Sequence, residues 1–184
     1  MVVDKEHMEY ISWHSLYLAL VEIASRIRND NYVPDIIVGI LKGGIIPARI
    51  LSDLLSVDVI GFIGVRFYRR VGVRESRPEL TLPPMPSVRG KKVLVADDVI
   101  ETGRTLQLVL DELSRYGASE IRSATVYVKK RSPVFPDYYY KVTDKWVVFP
   151  WEYVETAKEV GDLEEIVGED KQLYIVVKKE FLTT

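Results

Sequence analysis

The sequence predicts a doubly wound α/β fold, and three observations carry that expectation. Short strand-like stretches recur at 36–41, 57–65, 92–96 and 121–128, the first of them apolar on both faces, the pattern of parallel strands buried beneath helices. Segments with helical spacing separate them. The turns that link them, rich in glycine and acids, fall at the carboxyl ends of the strands, where an open parallel sheet holds its ligands.

Taken in order, Leu16, Leu20, Ile23 and Ile27 recur at spacings of four, three and four, one buried stripe of an amphipathic helix. Ser12 or Ser15 is placed to cap it. Pro34 interrupts the chain before the first strand at 36–41. Lys42-Gly43-Gly44 then turns it into helical spacing over 45–55, and 57–65 is again apolar and β-branched. Between 66 and 86 five arginines are followed by Pro78, Pro83, Pro84 and Pro86 with few apolar residues, which reads as a long mobile loop. The strand at 92–96 ends in Asp97-Asp98, and a helix over 105–116 follows, with Gly117 as its stop. After the strand at 121–128 the pattern loosens from Pro133 into an aromatic, irregular stretch. The tail from Tyr153 reads as a helix, a turn at Gly168 and a strand over 173–177.

Composition excludes several kinds of protein. At 184 residues the chain is sized for one domain with a sizeable core. Its 25 Lys+Arg against 27 Asp+Glu, a formal net charge of −2, disfavours a dedicated nucleic-acid binder, which is normally basic. With no Cys there are no disulfides, thiolate zinc sites or thiol nucleophiles, and the cytoplasm is the expected compartment. His7 and His14, the only imidazoles, cannot build a multi-histidine metal cage. No run approaches the ~20 apolar residues of a membrane span, and the acidic N-terminus is unlike a signal peptide. Scarce Asn and Gln, together with absent Cys, point to a thermophilic source.

The richest chemistry lies in 93–105. Asp97 and Asp98 close a strand, Glu101 follows three residues on, and Thr102-Gly103-Arg104-Thr105 opens a helix. Backbone N–H groups at that helix start, flanked by hydroxyls, suit a phosphate monoester. The carboxylates accept hydrogen bonds, so they suit vicinal hydroxyls or a hard cation. A ribose 5-phosphate offers both partners. The segment resembles the phosphoribosyl-pyrophosphate (PRPP) motif of the type I phosphoribosyltransferases. That resemblance implies a doubly wound parallel core over about 12–130, a small C-terminal hood over about 131–184, and Mg²⁺ as cofactor. Asp97 and Asp98 are then the residues that bind the ribose hydroxyls and metal, Thr102 to Thr105 cradle the 5-phosphate, and Glu101 lies near N7 of the base. Glu101 stands where enzymes of this family that act on 6-oxopurines usually carry Asp.

Leu41-Lys42-Gly43-Gly44 is by itself a common kind of turn. It resembles the family's pyrophosphate loop, in which the peptide preceding the glycines, here Leu41–Lys42, tends to be cis. The run from Arg66 to Arg77, read alone, is a solvated or nucleic-acid-binding loop. By position it resembles the family's flexible catalytic loop, where arginine suits departing pyrophosphate because its planar fork meets two oxygens. Arg69 and Arg70 come first among the candidates, without being separated from Arg74 and Arg77. On the base side, Trp146 can stack on a flat heterocycle, Val147 can offer main-chain groups, and Lys129 can donate to a carbonyl. Lys129, Trp146, Val147 and Glu152 resemble the hood of xanthine/guanine phosphoribosyltransferases. By that resemblance Lys129 reads the 6-oxo group, Trp146 stacks, Val147 meets N1 and N2, and Glu152 replaces an Asp near a second metal or the 2-position. The expected partners are PRPP and a purine base, with pyrophosphate and a nucleoside monophosphate as products, in a homodimer or homotetramer. A PRPP-sensing regulator that binds nucleic acid is the rival expectation; the acidity of the chain and the lack of a helix-turn-helix segment before the core disfavour it.

Overall fold

A computed structural model describes residues 7–68 and 77–160, with 175, 176, 178 and 179. Along the chain come β1 (Met8–Tyr10), α1 (Trp13–Asn29), β2 (Ile36–Leu41), α2 (Ile45–Leu55), β3 (Ile60–Tyr68), β4 (Arg77–Met85), β5 (Lys92–Ile100), α3 (Arg104–Arg115), β6 (Glu120–Lys129), β7 (Tyr138–Thr143), β8 (Trp146–Val148), a 3₁₀ turn (Pro150–Glu152) and α4 (Tyr153–Val160). They divide into two units, Tyr17–Thr143 on the one hand and Met1–Leu16 with Asp144–Thr184 on the other.

The larger unit holds a six-stranded sheet in the order β4-β3-β2-β5-β6-β7. It is parallel except at β4, which runs antiparallel to β3 along one edge. This is the α/β class that the apolar strands predict. From β2 the chain steps outward to β3 and later returns on the other side of β2 as β5. The gap between the carboxyl ends of β2 and β5 is therefore the topological switch point, the usual crevice for a ligand.

Helix packing fixes that gap. Leu106, Val109 and Leu113 of α3, three and four residues apart, pack into one buried cluster with Ile36, Val38, Ile40, Val93 and Val95. Truncating such a leucine to Ala costs about 2–5 kcal/mol. On the opposite face Gly39 lets α2 come close, since a Cβ there would stand 2.7 Å from the Gly44 carbonyl oxygen and 3.1 Å from Ala48 Cβ. Helix α1 buries Leu16, Leu20, Ile23 and Ile27 as their spacing predicts. Of its two candidate caps, Ser12 is the one used, its Oγ accepting from the Ser15 N–H at 3.1 Å. Gly117, at φ 85°, closes α3 as expected, with Ala118 N–H reaching back to the Leu113 carbonyl at 3.1 Å.

Three expectations about secondary structure are corrected. The proline-rich stretch is not a long loop: β3 runs on to Tyr68, and 77–85 pairs with it, Glu79 opposite Arg66 and Leu80 opposite Val65. Proline, which has no N–H to give a ladder, is tolerated on an edge strand, and Leu80 packs against the core. The aromatic stretch contains β7, with Tyr138 and Thr143 buried and the residues between them more open, because an edge strand needs only partial cover. At the tail, Ile175 and Val176 are helical rather than extended and both are exposed, whereas β-branched residues favour strands when sheet neighbours cover them; the turn expected at Gly168 and the rest of the 173–177 stretch lie outside the described residues.

In the smaller unit β1 pairs in parallel with β8, Met8 against Trp146 and Tyr10 against Val148. Ile11 N–H donates to the Val148 carbonyl at 3.0 Å, and the Tyr153 hydroxyl donates to the Ile11 carbonyl at 2.6 Å. Phe149 and Trp151 stack with centroids 4.8 Å apart.

Candidate active site

The two loops at the switch point meet directly. Leu41–Lys42, at the end of β2, is a cis peptide, as the resemblance implies. It delivers Gly43 against the carboxylate of Asp98: a Cβ on Gly43 would lie 1.9 Å from Oδ2 and 2.3 Å from Cγ. Gly44 is equally confined, with the Ala96 carbonyl oxygen 2.3 Å from where its Cβ would be. Glycine is demanded at both positions by close approach. The Lys42 side chain is exposed.

The acid pair is held by its own backbone. Asp97 Oδ1 accepts from the Asp98 N–H at 3.0 Å, and Asp98 Oδ1 from the Val99 N–H at 2.7 Å. Burial pushes the Asp97 carboxyl well above the ordinary value of 3.8, helped by the neighbouring charge of Asp98. Asp98 is also raised, again chiefly by burial, against the opposing pull of the Val99 N–H. Carboxyls raised by burial in this way mark a candidate binding site rather than a fold-stabilising ion pair. Among the described residues no three His, Cys, Asp or Glu side chains converge as a metal cage. The pair does fit Mg²⁺, which proteins bind through one or two carboxylates plus water and substrate phosphates.

Beyond the pair, Gly103 sits at φ 71° as the N-cap of α3, and no side chain caps the helix there. A helix start of this kind is where backbone N–H groups can meet an anion. Thr102 and Arg104 are exposed, and Thr105 is half-buried. Gly103 packs on the turn after β6, where a Cβ would stand 2.4 Å from Val134 Cβ.

Lys129 ends β6 with its side chain only 6% exposed, Nζ 3.8 Å from Glu101 Oε1. Glu101 Oε2 accepts from Arg131 at 3.1 Å. Arg131 was not among the sequence candidates. In sequence it belongs to a run, Lys129-Lys130-Arg131, that looks like solvated charge; Lys129 is buried at the end of β6, while Lys130 and Arg131 are both exposed in the turn that follows.

The remaining candidates fall elsewhere. Arg69, Arg70 and Arg74 lie outside the described residues, and Arg77 opens β4 with an exposed side chain. Trp146, Val147 and Glu152 belong to the smaller unit. Trp146 is 53% exposed and Val147 is buried, while Glu152 Oε2 accepts from the Phe149 N–H at 3.2 Å and the Glu152 N–H donates to the Phe149 carbonyl at 2.9 Å, closing the 3₁₀ turn.

A glycine loop, an acid pair whose carboxyls are raised by burial and the start of α3 thus follow the carboxyl ends of β2 and β5 at the switch point of a parallel sheet, where enzymes of this architecture place their sites. Residues 8–157 match the phosphoribosyl transferase domain; the chain belongs to that family and is a pentosyltransferase. It is 30% identical to the xanthine-guanine phosphoribosyltransferase of Cereibacter sphaeroides, over 79% of this chain and 90% of that one. It is 28% identical to xanthine phosphoribosyltransferase 1 of Saccharomyces cerevisiae, over 92% of this chain and 100% of that one. The purine phosphoribosyltransferase of Pyrococcus horikoshii superposes with a TM-score of 0.71 at 38% identity, over 79% of this chain and 94% of that chain. No described helix is long and apolar enough to cross a membrane.

Proposed function

We propose that the protein transfers the 5-phosphoribosyl group of PRPP to a 6-oxopurine (guanine, hypoxanthine or xanthine), releasing pyrophosphate and a nucleoside 5′-monophosphate in purine salvage. The observation that carries the choice of base is Lys129, a buried ammonium beside Glu101 at the carboxyl end of β6. An ammonium only donates, so it matches a 6-oxo group and mismatches the 6-amino group of adenine. The names of the relatives support the same choice.

In this mechanism the C1–O bond to pyrophosphate breaks as the base nitrogen closes on C1, through an oxocarbenium-like transition state. The N–H groups at the start of α3, with Thr102, Gly103, Arg104 and Thr105, anchor the 5-phosphate and fix the sugar. Asp97 and Asp98 accept the ribose hydroxyls. Leu41, Lys42 and Gly43 hold the pyrophosphate, with Arg69 and Arg70 as its further ligands. Glu101 accepts the proton that leaves N7 of the base. Trp146 stacks on the ring, Val147 offers main-chain groups to its edge, and Glu152 serves the 2-position or a second ion. Mg²⁺, held by Asp97 and Asp98 with the substrate, would neutralise charge on the departing pyrophosphate.

The test is to incubate the purified protein with PRPP, Mg²⁺ and each purine and to follow nucleotide and pyrophosphate together. Equal release of both with a 6-oxopurine and none with adenine is expected. Nucleotide from adenine alone, or from no purine, would overturn the proposal.

A further inference from the structure

Glu101 carries one methylene more than the Asp usual at its position, and its carboxylate is shared between two cations of unequal grip. Arg131 donates to Oε2 at 3.1 Å, within hydrogen-bond length. Lys129 Nζ stands 3.8 Å from Oε1, close enough for attraction but too far for a hydrogen bond. The turn that bears Arg131 is braced. Ser132 N–H donates to the Lys129 carbonyl at 2.8 Å, and the Ser132 hydroxyl donates to the Val134 carbonyl at 2.7 Å. Val134 in turn lies against Gly103 of the phosphate loop. The Lys129–Val134 turn therefore touches the Glu101–Gly103 segment at two points, one ionic and one steric.

We propose that Arg131 is a positioning residue for the transfer reaction, holding the Glu101 carboxylate in place so that the carboxylate does not close onto Lys129. The proposal rests on the reading of Glu101 and Lys129 as the groups that face the base. Without Arg131 the carboxylate has a single cationic neighbour among these groups, and its closure onto the Lys129 ammonium would draw that group, with one of its three N–H donors, away from the 6-oxo group. The Arg131 side chain is 73% exposed, so solvent screens its pull and the effect is modest. Replacing so exposed a side chain is expected to leave the fold intact.

The measurement is the single-turnover rate of nucleotide formation at saturating PRPP and Mg²⁺, with guanine or hypoxanthine, for the wild type, Arg131→Ala, Arg131→Lys, Glu101→Gln and the Glu101→Gln/Arg131→Ala double variant. Arg131→Ala is expected to slow turnover about two- to fivefold, the scale of a screened ion pair, with Tm and the apparent KM for PRPP unchanged. Arg131→Lys should recover most of that loss. In the Glu101→Gln background the arginine substitution should cost nothing further. An unaltered rate in Arg131→Ala while Glu101→Gln is slow overturns the inference and leaves the base reading standing. An equal cost in both backgrounds overturns it too, because Arg131 would then act independently of Glu101. If Glu101→Gln turns over like the wild type, the base reading itself fails, and the inference falls with it.

Discussion

Gly43→Ala tests the junction of the two loops. The added methyl would lie 1.9 Å from Asp98 Oδ2, 2.3 Å from Cγ and 2.6 Å from Oδ1, where carbon contacts normally begin at about 3.5 Å. No rotamer of alanine avoids the overlap, so Asp98 or the loop must shift by more than an ångström. If the carboxylate moves, it leaves the Val99 N–H that holds it at 2.7 Å and no longer meets the ribose hydroxyls where the phosphate cradle fixes them. A misplacement of about 1 Å at a reacting centre costs on the order of 10²-fold in rate. Overpacking of this kind destabilises by about 1–3 kcal/mol, so the variant should fold and fail. The assay is PRPP-dependent nucleotide formation, with a thermal melt as the check on folding. An Asp98→Gly background removes the atoms that clash, and there Gly43→Ala should add no further loss. Kinetics within threefold of the wild type, in a folded Gly43→Ala protein, would refute the steric link between the loops.

Other substitutions address the rest of the site. Asp97→Asn should lower activity severely while stabilising the unliganded protein. The carboxyl is raised by burial and by Asp98, so the folded state loses stability as pH climbs from the ordinary value toward the raised one. The variant should therefore melt higher at pH 8, by about 2–4 °C per kcal/mol recovered, and match the wild type near pH 3; an unchanged Tm across that range would contradict the assignment of cause. Gly103→Ala meets Val134 at 2.4 Å with φ at 71°, and should cost about 1–3 kcal/mol and raise KM for PRPP; wild-type KM would show that the cradle tolerates a side chain. Lys129→Ala should reduce kcat/KM for guanine and hypoxanthine by about tenfold or more, the value of a charged hydrogen bond, with KM for PRPP little changed, and equal activity toward both bases before and after would remove the lysine from base recognition.

The sequence was most readable where burial is symmetric and local. β2 is apolar on both faces, β5 runs Val93-Leu94-Val95-Ala96 into its acids, and the Asp-Asp pair and the Thr-Gly-Arg-Thr loop follow within a few residues, so strand, acids and helix start could be placed together. β4 was hidden because Pro78, Pro83 and Pro84 look like loop signals, and their position on an outer edge depends on the pairing with β3. β1 and β8 were hidden for another reason: three-residue strands have no periodicity, and the partners Met8 and Trp146 are far apart in the chain. The contact of Gly43 with Asp98 likewise joins residues that no spacing rule connects. Arg131 escaped notice because its charge looks like solvated surface until the turn after β6 brings it to Glu101.

The pairing of β1 with β8 bears on the order in which the chain can be completed on the ribosome. The unit Tyr17–Thr143 contains the whole six-stranded sheet and is contiguous in sequence, so it can gather its core as synthesis proceeds. The strand that carries Trp146 and Val147 depends instead on Met8–Tyr10, made first and left waiting until residues 146–148 emerge. An N-terminal fusion or a truncation through Tyr10 would thus disturb the segment assigned to the base while sparing the acids and the phosphate cradle. A tag is best placed elsewhere on this enzyme, and a shortened N-terminus should show itself as a change in base preference before any loss of PRPP binding.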